Sequence, residues 1–492
     1  MAHAGGHLKR ELGLFHAVLL GLGSILGTGV FVSIGIAAGV AGPAVLVAIV
    51  LAAVLALCNG LSSAQLAAAH PVAGGTYEYG YKYLNDKLGF TAGWMFLCAK
   101  SASAATAALG VVGYLDHQYT FHRDWIPSLY RFDAWITVLF AAIALVTVAS
   151  AVLLGLRRSA LLNSLLVSVT LGGLGVACLF VFFSTEIPWW RPFEYVRFQY
   201  QHSDHYAQNV IVNALLPATA LMFVAFTGYG RVATLGEEVR SPRRTIPVAI
   251  LWTLAATALI YLLVGYALLL SGVGFDASSR FAEGRQLNPL IYAVRWSGGG
   301  GVMLHAIAFA AITAMLGVLL NLILGLSRVA LAMGRRGDMP RVFAKVNAGG
   351  TTPVPAVLLV AGIIAALTLV GDVKATWSFA AFTVLIYYGI TNLACLRLPP
   401  EDRLYPRAFA WAGLGGCLFL AWWVEPRYWI AGLVLIVVGL FWQRIAQRVF
   451  KKPPDPRDVC VGCGYDLRAS SAVCPECGEV IPGSDDGVTV VD

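Results

Sequence analysis

Charged residues are scarce in this sequence. Asp, Glu, Lys and Arg make up 12% of its 492 residues, whereas hydrophobic residues make up 58% and the mean hydropathy is +0.74. Soluble domains carry about 25% charged residues, so the composition excludes an ordinary soluble protein and indicates an integral membrane protein. We also expect no cleavable signal peptide, because the first apolar segment is too long for a signal-peptide core and no convincing cleavage site follows it.

Two kinds of functional cluster are absent as well. The apolar segments hold no group of His, Asp and Glu residues and no activated nucleophile, so we expect no enzyme active site. The net charge of +8 is spread along the chain and is not gathered in a soluble basic domain, so we expect no nucleic-acid partner.

Long apolar segments dominate what is present. A membrane span needs roughly 20 apolar residues, and we count candidate spans near 15–36, 42–69, 88–113, 134–154, 160–183, 211–235, 246–270, 302–333, 354–371, 375–396, 406–424 and 428–447. These segments predict an all-α membrane protein with about twelve transmembrane helices. If both termini face the cytoplasm, most Lys and Arg residues of the loops fall on the inner side, as the positive-inside rule requires. We therefore predict a multi-pass protein of the cytoplasmic membrane with both termini inside.

The C-terminal tail carries four clustered cysteines, Cys460, Cys463, Cys474 and Cys477. They form two C-x2-C pairs, which is the ligand spacing of tetrahedral zinc sites. Disulfides are disfavoured in a reducing cytoplasm, and four protein ligands close the coordination shell. We expect a structural Zn²⁺ site resembling a small zinc ribbon, with a four-thiolate iron site as the alternative.

The composition divides the chain into four parts. A membrane domain covers residues 1–450, a Pro-rich linker covers 451–457, the zinc-ribbon-like module covers 458–480, and a short polar tail over 481–492 is expected to be disordered.

Glycine clusters in the middle of two spans. Residues 21–31 read GLGSILGTGVF, and residues 226–231 read FTGYGR. Glycine inside a helix costs about 1 kcal/mol relative to alanine, so both spans are predicted to unwind near Gly27 and Gly228. Unwound backbone at membrane depth must line a cavity or be buried in protein, and paired broken helices point to a transporter's substrate site.

These glycine segments also carry a family resemblance. The first resembles helix 1 of the amino acid–polyamine–organocation permeases, and FVAFTGY at 223–229 with EEVRSPRRTIP at 237–247 resembles their helix 6 and the loop after it. PVAGGTY at 71–77 is similar to their first cytoplasmic loop, and GDMP at 337–340 is similar to the end of helix 8. The resemblance implies a permease domain over residues 1–450 with the leucine-transporter-type fold. That fold is a 5+5 inverted repeat with helices 1 and 6 broken, and it implies alternating access around a central amino acid site.

A zwitterionic amino acid needs two kinds of partner in such a site. Backbone N–H groups at the start of a half-helix can hold its carboxylate, and carbonyl oxygens released by the unwound backbone can hold its ammonium. Phe226 and Tyr229 can close over the substrate as an aromatic gate. The predicted substrate-binding residues are Ser24, Ile25, Gly27, Thr28, Gly29, Val30, Phe226, Thr227, Gly228 and Tyr229. The alternative is that the glycines only allow close helix packing.

Two basic residues lie where relatives that carry cations tend to have acids. Ala99-Lys100 stands in place of a Glu-Tyr pair, and Gly230-Arg231 stands in place of an acid followed by a small residue. A buried lysine in a span is a functional hypothesis by default. Lys100 and Arg231 therefore favour neutral or anionic substrates over cationic ones. The alternative is that each side chain reaches water or pairs with an acid.

The coupling ion is less well defined by the sequence. Several proton-coupled relatives carry a lysine in helix 5, and this chain has Thr170 there. Thr170 and Thr313 are candidate ligands for Na⁺, or silent packing residues, and Lys100 is a candidate carrier of H⁺.

The sequence thus predicts a secondary active transporter that moves a small-molecule amino acid across the lipid bilayer. Two alternatives stay open. One is a permease for another small organic solute, and the other is a non-transporting sensor whose zinc ribbon signals to a cytoplasmic protein partner.

Overall fold

The structure is a computed structural model that describes residues 13–71, 74–120, 134–153, 157–185, 214–233, 241–272, 288–347, 352–369 and 373–450, with the single residues 188, 190 and 239. Among these residues the chain forms helices and no β-strand. The α-helices are α1 Leu14–Ile25, α2 Ile34–Ala41, α3 Val45–Ala69, α4 Thr76–Tyr83, α5 Asp86–Thr120, α6 Ala134–Leu153, α7 Arg157–Ser184, α8 Leu216–Phe226, α9 Gly230–Ala233, α10 Pro242–Leu270, α11 Pro289–Trp296, α12 Gly301–Arg336, α13 Val354–Thr368, α14 Val373–Leu396, α15 Arg407–Trp422 and α16 Pro426–Val449.

Seven of the helical segments are long and apolar enough to cross a membrane: Gly29–Ala69, Asp86–Leu115, Leu162–Ser184, Pro242–Leu270, Gly301–Arg336, Val373–Leu396 and Pro426–Val449. Shorter apolar helices occupy Leu14–Ile25, Val138–Leu153, Val354–Thr368 and Arg407–Trp422. Large apolar side chains such as Phe183, Val302 and Trp422 are exposed on the outer helix faces, as expected for surfaces that contact lipid. The prediction of an all-α, multi-pass membrane protein is confirmed.

The first glycine segment interrupts its helix. α1 ends at Ile25, and Leu26 leaves the helical region with φ −77° and ψ 88°. The chain resumes as a π-helical turn over Gly29–Ser33 and continues into α2. Gly27 lies against α12, because a Cβ atom there would come within 2.5 Å of Val318 Cγ2. Glycine at this position therefore allows both the interruption of the helix and the close approach of α12.

The second glycine segment tightens its helix instead of unwinding it. α8 ends at Phe226, and a 3₁₀ turn over Thr227–Tyr229 leads directly into α9. Thr227 Oγ1 donates to the carbonyl oxygen of Val224 at 2.7 Å. The α-helix of span 6 is thus interrupted near Gly228 by a 3₁₀ turn and not by an open segment, because the i→i+3 pattern of that turn keeps most of the backbone hydrogen-bonded.

The two interruptions lie against each other. A Cβ atom at Gly228 would overlap Ile25 Cγ1 and the carbonyl oxygen of Ser24. The hydroxyl of Tyr261 in α10 is within hydrogen-bond distance of the Ile25 and Ala225 carbonyl oxygens, at 3.2 and 3.0 Å. One side chain thus ties the end of α1 to the end of α8.

A cluster of charged and aromatic side chains joins α4 to the end of α12. Arg336 at the end of α12 pairs with Glu78 of α4 at 2.5 Å and lies 4.1 Å from the ring centroid of Tyr81. Just beyond α12, Asp338 accepts hydrogen bonds from Tyr77 at 2.7 Å and from Tyr81 at 2.6 Å. We call Tyr77, Glu78, Tyr81, Arg336 and Asp338 the α12-end cluster.

The linker, the four tail cysteines and the terminal segment all lie outside the described residues. The predicted zinc-ribbon-like module and disordered tail therefore stay predictions.

Candidate functional site

A small cavity of about 20 Å³ lies where the two interruptions meet. Its walls come from α1 and the π-helical turn, from α5, from α8 with its 3₁₀ turn, and from α12 and α14. The lining residues are Ser24, Ile25, Thr28, Gly29, Lys100, Ser103, Val224, Ala225, Thr227, Gly228, Val318, Leu322 and Trp377. A volume of about 20 Å³ has room for about one water molecule, so the helices pack closely around the cavity in this structure.

Lys100 is the one ionisable side chain among these lining residues. It is 5% exposed, and α5 places it directly opposite the 3₁₀ turn. Its Nζ donates to Thr227 Oγ1 at 2.7 Å and to the Thr227 carbonyl oxygen at 3.2 Å. In the part of the chain that the structure describes, no carboxylate lies within salt-bridge distance of Nζ. The lysine is therefore held by neutral oxygen atoms alone.

Carbonyl oxygens at the two interruptions already have protein partners. The Thr227 carbonyl accepts from Lys100 and also from the Tyr388 hydroxyl at 3.1 Å. The Ile25 carbonyl accepts from the Gly27 N–H at 3.0 Å and lies 3.2 Å from Tyr261 Oη. Two carbonyl oxygens at the interruptions that could accept from a substrate ammonium thus already have donors in this structure.

The lining hydroxyl groups face the cavity as acceptors. Ser24, Ser103 and Thr227 each donate their hydroxyl hydrogen to a backbone carbonyl three or four residues earlier. The oxygen atoms of Ser24 and Ser103 can accept from another donor, whereas Thr227 Oγ1 already accepts from Lys100. Lys100 and Thr28 are the lining side chains with a donor still to offer.

Six of the ten predicted substrate-binding residues line this cavity, and four do not. Gly27 packs on α12, and the N–H of Val30 donates to the Gly27 carbonyl at 3.2 Å. Phe226 and Tyr229 are fully buried beside it, with their rings 5.0 Å from Tyr261 and 5.3 Å from Tyr388, respectively. Both aromatic rings are part of the packed shell around the cavity in this structure.

The other predicted residues are more distant from the cavity. Arg231 is half-buried in α9 and does not line it. The hydroxyls of Thr170 and Thr313 donate to carbonyl oxygens of their own helices, at 2.7 and 2.9 Å, and neither residue lines the cavity.

Sequence reasoning missed a shell of polar residues around the site. Tyr261 and Tyr388 hold the carbonyls of the interruptions, and Trp377 lines the cavity. Asn321 of α12 donates to Asn163 of α7 at 2.7 Å and lies 3.3 Å from the Gly23 carbonyl oxygen. The asparagines had a usable signal, because amides inside apolar spans are uncommon and need partners. Tyr261, Tyr388 and Trp377 carried no such signal in the sequence, because aromatic residues are frequent in membrane spans.

No group of three or more His, Cys, Asp or Glu residues that could hold a metal occurs in the described ranges. Cys460, Cys463, Cys474 and Cys477 lie outside those ranges.

The comparison with known families identifies the protein class. A sequence model of the amino acid permease family matches residues 16–458, which include every helix around the cavity. The chain belongs to the amino acid permease family. The predicted resemblance to amino acid–polyamine–organocation permeases is confirmed at the level of the family.

Three relatives of this permease match along most of their length. A protein of Mycobacterium tuberculosis named as an uncharacterized transporter is 36% identical over 438 residues, 88% of this chain and 90% of that protein. The branched-chain amino acid permease BcaP of Bacillus subtilis is 26% identical over 467 residues, 89% of this chain and 94% of BcaP. A methylthioribose transporter of the same species is 26% identical over 450 residues, 88% of this chain and 92% of that protein. All three are named as transporters or permeases, so the prediction that the chain is not an enzyme is confirmed.

Proposed function

We propose that this permease is a secondary active transporter that moves amino acids across the cytoplasmic membrane by alternating access. The observation that carries the proposal is the cavity between the facing interruptions at Gly27 and Gly228. Half-helix ends that meet inside a membrane protein supply backbone groups for a polar solute while the surrounding helices stay intact. Membership of the amino acid permease family supports the class of solute.

The proposed substrates are neutral or anionic, not cationic. Among the described residues that line the cavity, Lys100 is the single ionisable one, and none carries a carboxylate to balance a cationic side chain. Two like charges in a poorly solvated site repel each other strongly. Another small organic solute is the second candidate, and the occupied carbonyl of Thr227 favours it.

The proposed topology has twelve spans with both termini in the cytoplasm. α1 and α2 together make span 1, and α8 and α9 together make span 6, so each half of a 5+5 repeat begins with an interrupted helix. The positive-inside pattern supports the orientation. Labelling of single cysteines placed in successive loops with an impermeant thiol reagent tests both the span count and the orientation.

Two further assignments belong to the proposal. Coupling to Na⁺ or H⁺ involves Thr170, Thr313 or Lys100, and uptake driven by an imposed gradient of each ion distinguishes the two. The tail binds one structural Zn²⁺ through its four cysteines, which metal analysis of the full chain and of its Cys474→Ser variant tests.

The main experiment is uptake of labelled amino acids by proteoliposomes containing the purified chain. Gly228→Ala is expected to abolish uptake, because its Cβ would overlap the Ser24 carbonyl and force the interruptions apart. Gly325→Ala is the matched control, since that buried glycine of α12 has no atom within 4 Å of a new Cβ. Uptake by the Gly228 variant that equals the control would place the substrate site elsewhere.

A further inference from the structure

Lys100 occupies a position that a substrate's own amino group would need. Its Nζ donates to the Thr227 carbonyl, one of the backbone oxygens at the interruption of span 6. We propose that Lys100 takes the place of the substrate ammonium, so that the cavity prefers small carboxylates without an α-amino group, such as 2-oxo acids, over the matching amino acids. This inference rests on the proposed transport function and favours the second substrate class named there, a small organic solute other than an amino acid.

The first argument is charge balance. Lys100 gives the lining a single positive charge when protonated, and the described part of the chain places no carboxylate beside it. A buried charge is stabilised by an opposite charge at short range. A monoanionic carboxylate brings that counter-charge, and the filled cavity is then neutral. A zwitterion brings a second cation along with its carboxylate, and the filled cavity keeps a net positive charge.

The second argument is the count of hydrogen-bonding groups. A protonated lysine has three N–H donors, and Lys100 uses two of them on Thr227. The third has no acceptor among the described residues, and the side chain borders the cavity. It is therefore placed to donate to a carboxylate oxygen.

Acceptors for a second ammonium are few by comparison. The Thr227 carbonyl already serves Lys100 and Tyr388, and the Ile25 carbonyl already serves Gly27 and Tyr261. A substrate ammonium would have to displace these donors or rely on the serine and threonine hydroxyl oxygens. The cavity thus offers an N–H donor of Lys100 to an anion, whereas the carbonyl oxygens that would bind a cation already accept hydrogen bonds from the protein.

Matched ligand pairs test this preference directly. Leucine and 4-methyl-2-oxopentanoate share a side chain and a carboxylate, as do alanine and pyruvate, and each pair differs only at the second carbon. Binding is measured by ligand-induced thermal shift of the purified full chain, and transport is measured by uptake into proteoliposomes. We expect the 2-oxo acid of at least one pair to bind about ten- to hundredfold more tightly, because the ammonium of the amino acid lacks a free acceptor and a missing hydrogen bond to a charged group costs about that ratio.

Two substitutions of Lys100 assign the preference to this residue. Lys100→Met keeps a chain of similar length without charge, and it should lose the 2-oxo preference and gain affinity for the amino acid. Lys100→Arg keeps the positive charge and should retain a preference for the 2-oxo acid. The comparison in the unmodified chain needs no variant, so it stands even if one of the variants does not fold.

The outcomes separate this inference from the proposed function. If the unmodified chain takes up the amino acid of each pair as well as or better than its 2-oxo partner, the inference is overturned and the transport function stands. If Lys100→Met keeps the full preference for the 2-oxo acid, only the assignment of that preference to Lys100 is overturned. If neither member of any pair binds or is taken up, the proposed transport of amino acids and the inference both fail.

Discussion

Two regions of the molecule hold a basic side chain among helices, and they hold it in opposite ways. In the α12-end cluster, Arg336 pairs with the Glu78 carboxylate and lies over the Tyr81 ring. In the central cavity, Lys100 has only the neutral oxygens of Thr227. The first cation is balanced by the fold, whereas the second is not.

This difference separates scaffold from site. A cation with a carboxylate partner and an aromatic face contributes to the docking of helices. A buried cation without a counter-charge is costly and marks functional positions in membrane proteins. The α12-end cluster therefore joins α4 to α12, whereas the charge of Lys100 has the role toward a ligand that we propose above.

Asp338 extends the paired region toward α16. Its backbone carbonyl accepts from the Trp442 indole at 3.0 Å, and Gln443 donates to the Tyr81 hydroxyl at 3.2 Å. Burial raises the pKa of the Asp338 carboxyl, and the hydrogen bonds from Tyr81 and Tyr77 oppose that shift. The hydrogen bonds thus offset part of the desolvation of the carboxylate.

The largest expected effect is on the paired region. Asp338→Ala should lower the free energy of unfolding by about 2–5 kcal/mol, because the Tyr77 and Tyr81 hydroxyls lose a buried acceptor. Unfolding of the purified protein in detergent measures the change. Asp338→Asn is the control, since it keeps one carbonyl acceptor and should lose less. Equal losses in both variants would show that charge, not hydrogen bonding, is the important contribution.

A smaller effect is expected where the two interruptions are tied together. Tyr261→Phe removes the hydroxyl near the Ile25 and Ala225 carbonyls, and it should cost about 1–2 kcal/mol of stability. Uptake should fall as well, because the contact links the two halves of the site. Unchanged unfolding and uptake would mean that neighbouring N–H groups satisfy these carbonyls without Tyr261.

Lys100→Met should change stability by no more than about 1 kcal/mol in the ligand-free protein. The lost hydrogen bonds are offset by removal of an unbalanced buried charge, and uncharged replacements of buried ions are often neutral or stabilising. The same unfolding assay compares this variant with Asp338→Ala. A loss as large as that of Asp338→Ala would remove the distinction between the site and the scaffold.

The smallest effect is expected at an exposed ion pair. Arg243 is 71% exposed and lies 2.9 Å from the Asp402 carboxylate, and Arg243→Ala should cost about 0–1 kcal/mol. The difference between the variant and the unmodified chain should shrink further in high salt. A salt-independent loss above that range would indicate a role beyond the surface pair.

Sequence reasoning predicted several residues of the cavity lining but not the backbone conformation around them. Ser24, Thr28, Gly29 and Gly228 were predicted from glycine clustering and do line the cavity. Span 6 is interrupted at the predicted place, but by a 3₁₀ turn over Thr227–Tyr229 that satisfies the backbone without an open gap. Clustered glycines indicate where an α-helix is easily interrupted. The packing of the neighbouring helices decides which backbone conformation the interruption adopts.

Local chemistry accounts for what the sequence by itself determined. The membrane class follows from apolar composition, and the break after Ile25 follows from the low helix propensity of closely spaced glycines. Both are properties of short stretches of chain, so they can be recognised without knowing what packs against them.

Only the tertiary structure decided the partners of the key side chains. Lys100 reaches Thr227 across 127 residues of sequence, and Tyr77 reaches Asp338 across 261. It also decided that Phe226 and Tyr229 pack against Tyr261 and Tyr388 and do not line the cavity. Contacts of this kind depend on which helix faces meet, and packing between distant segments sets those faces.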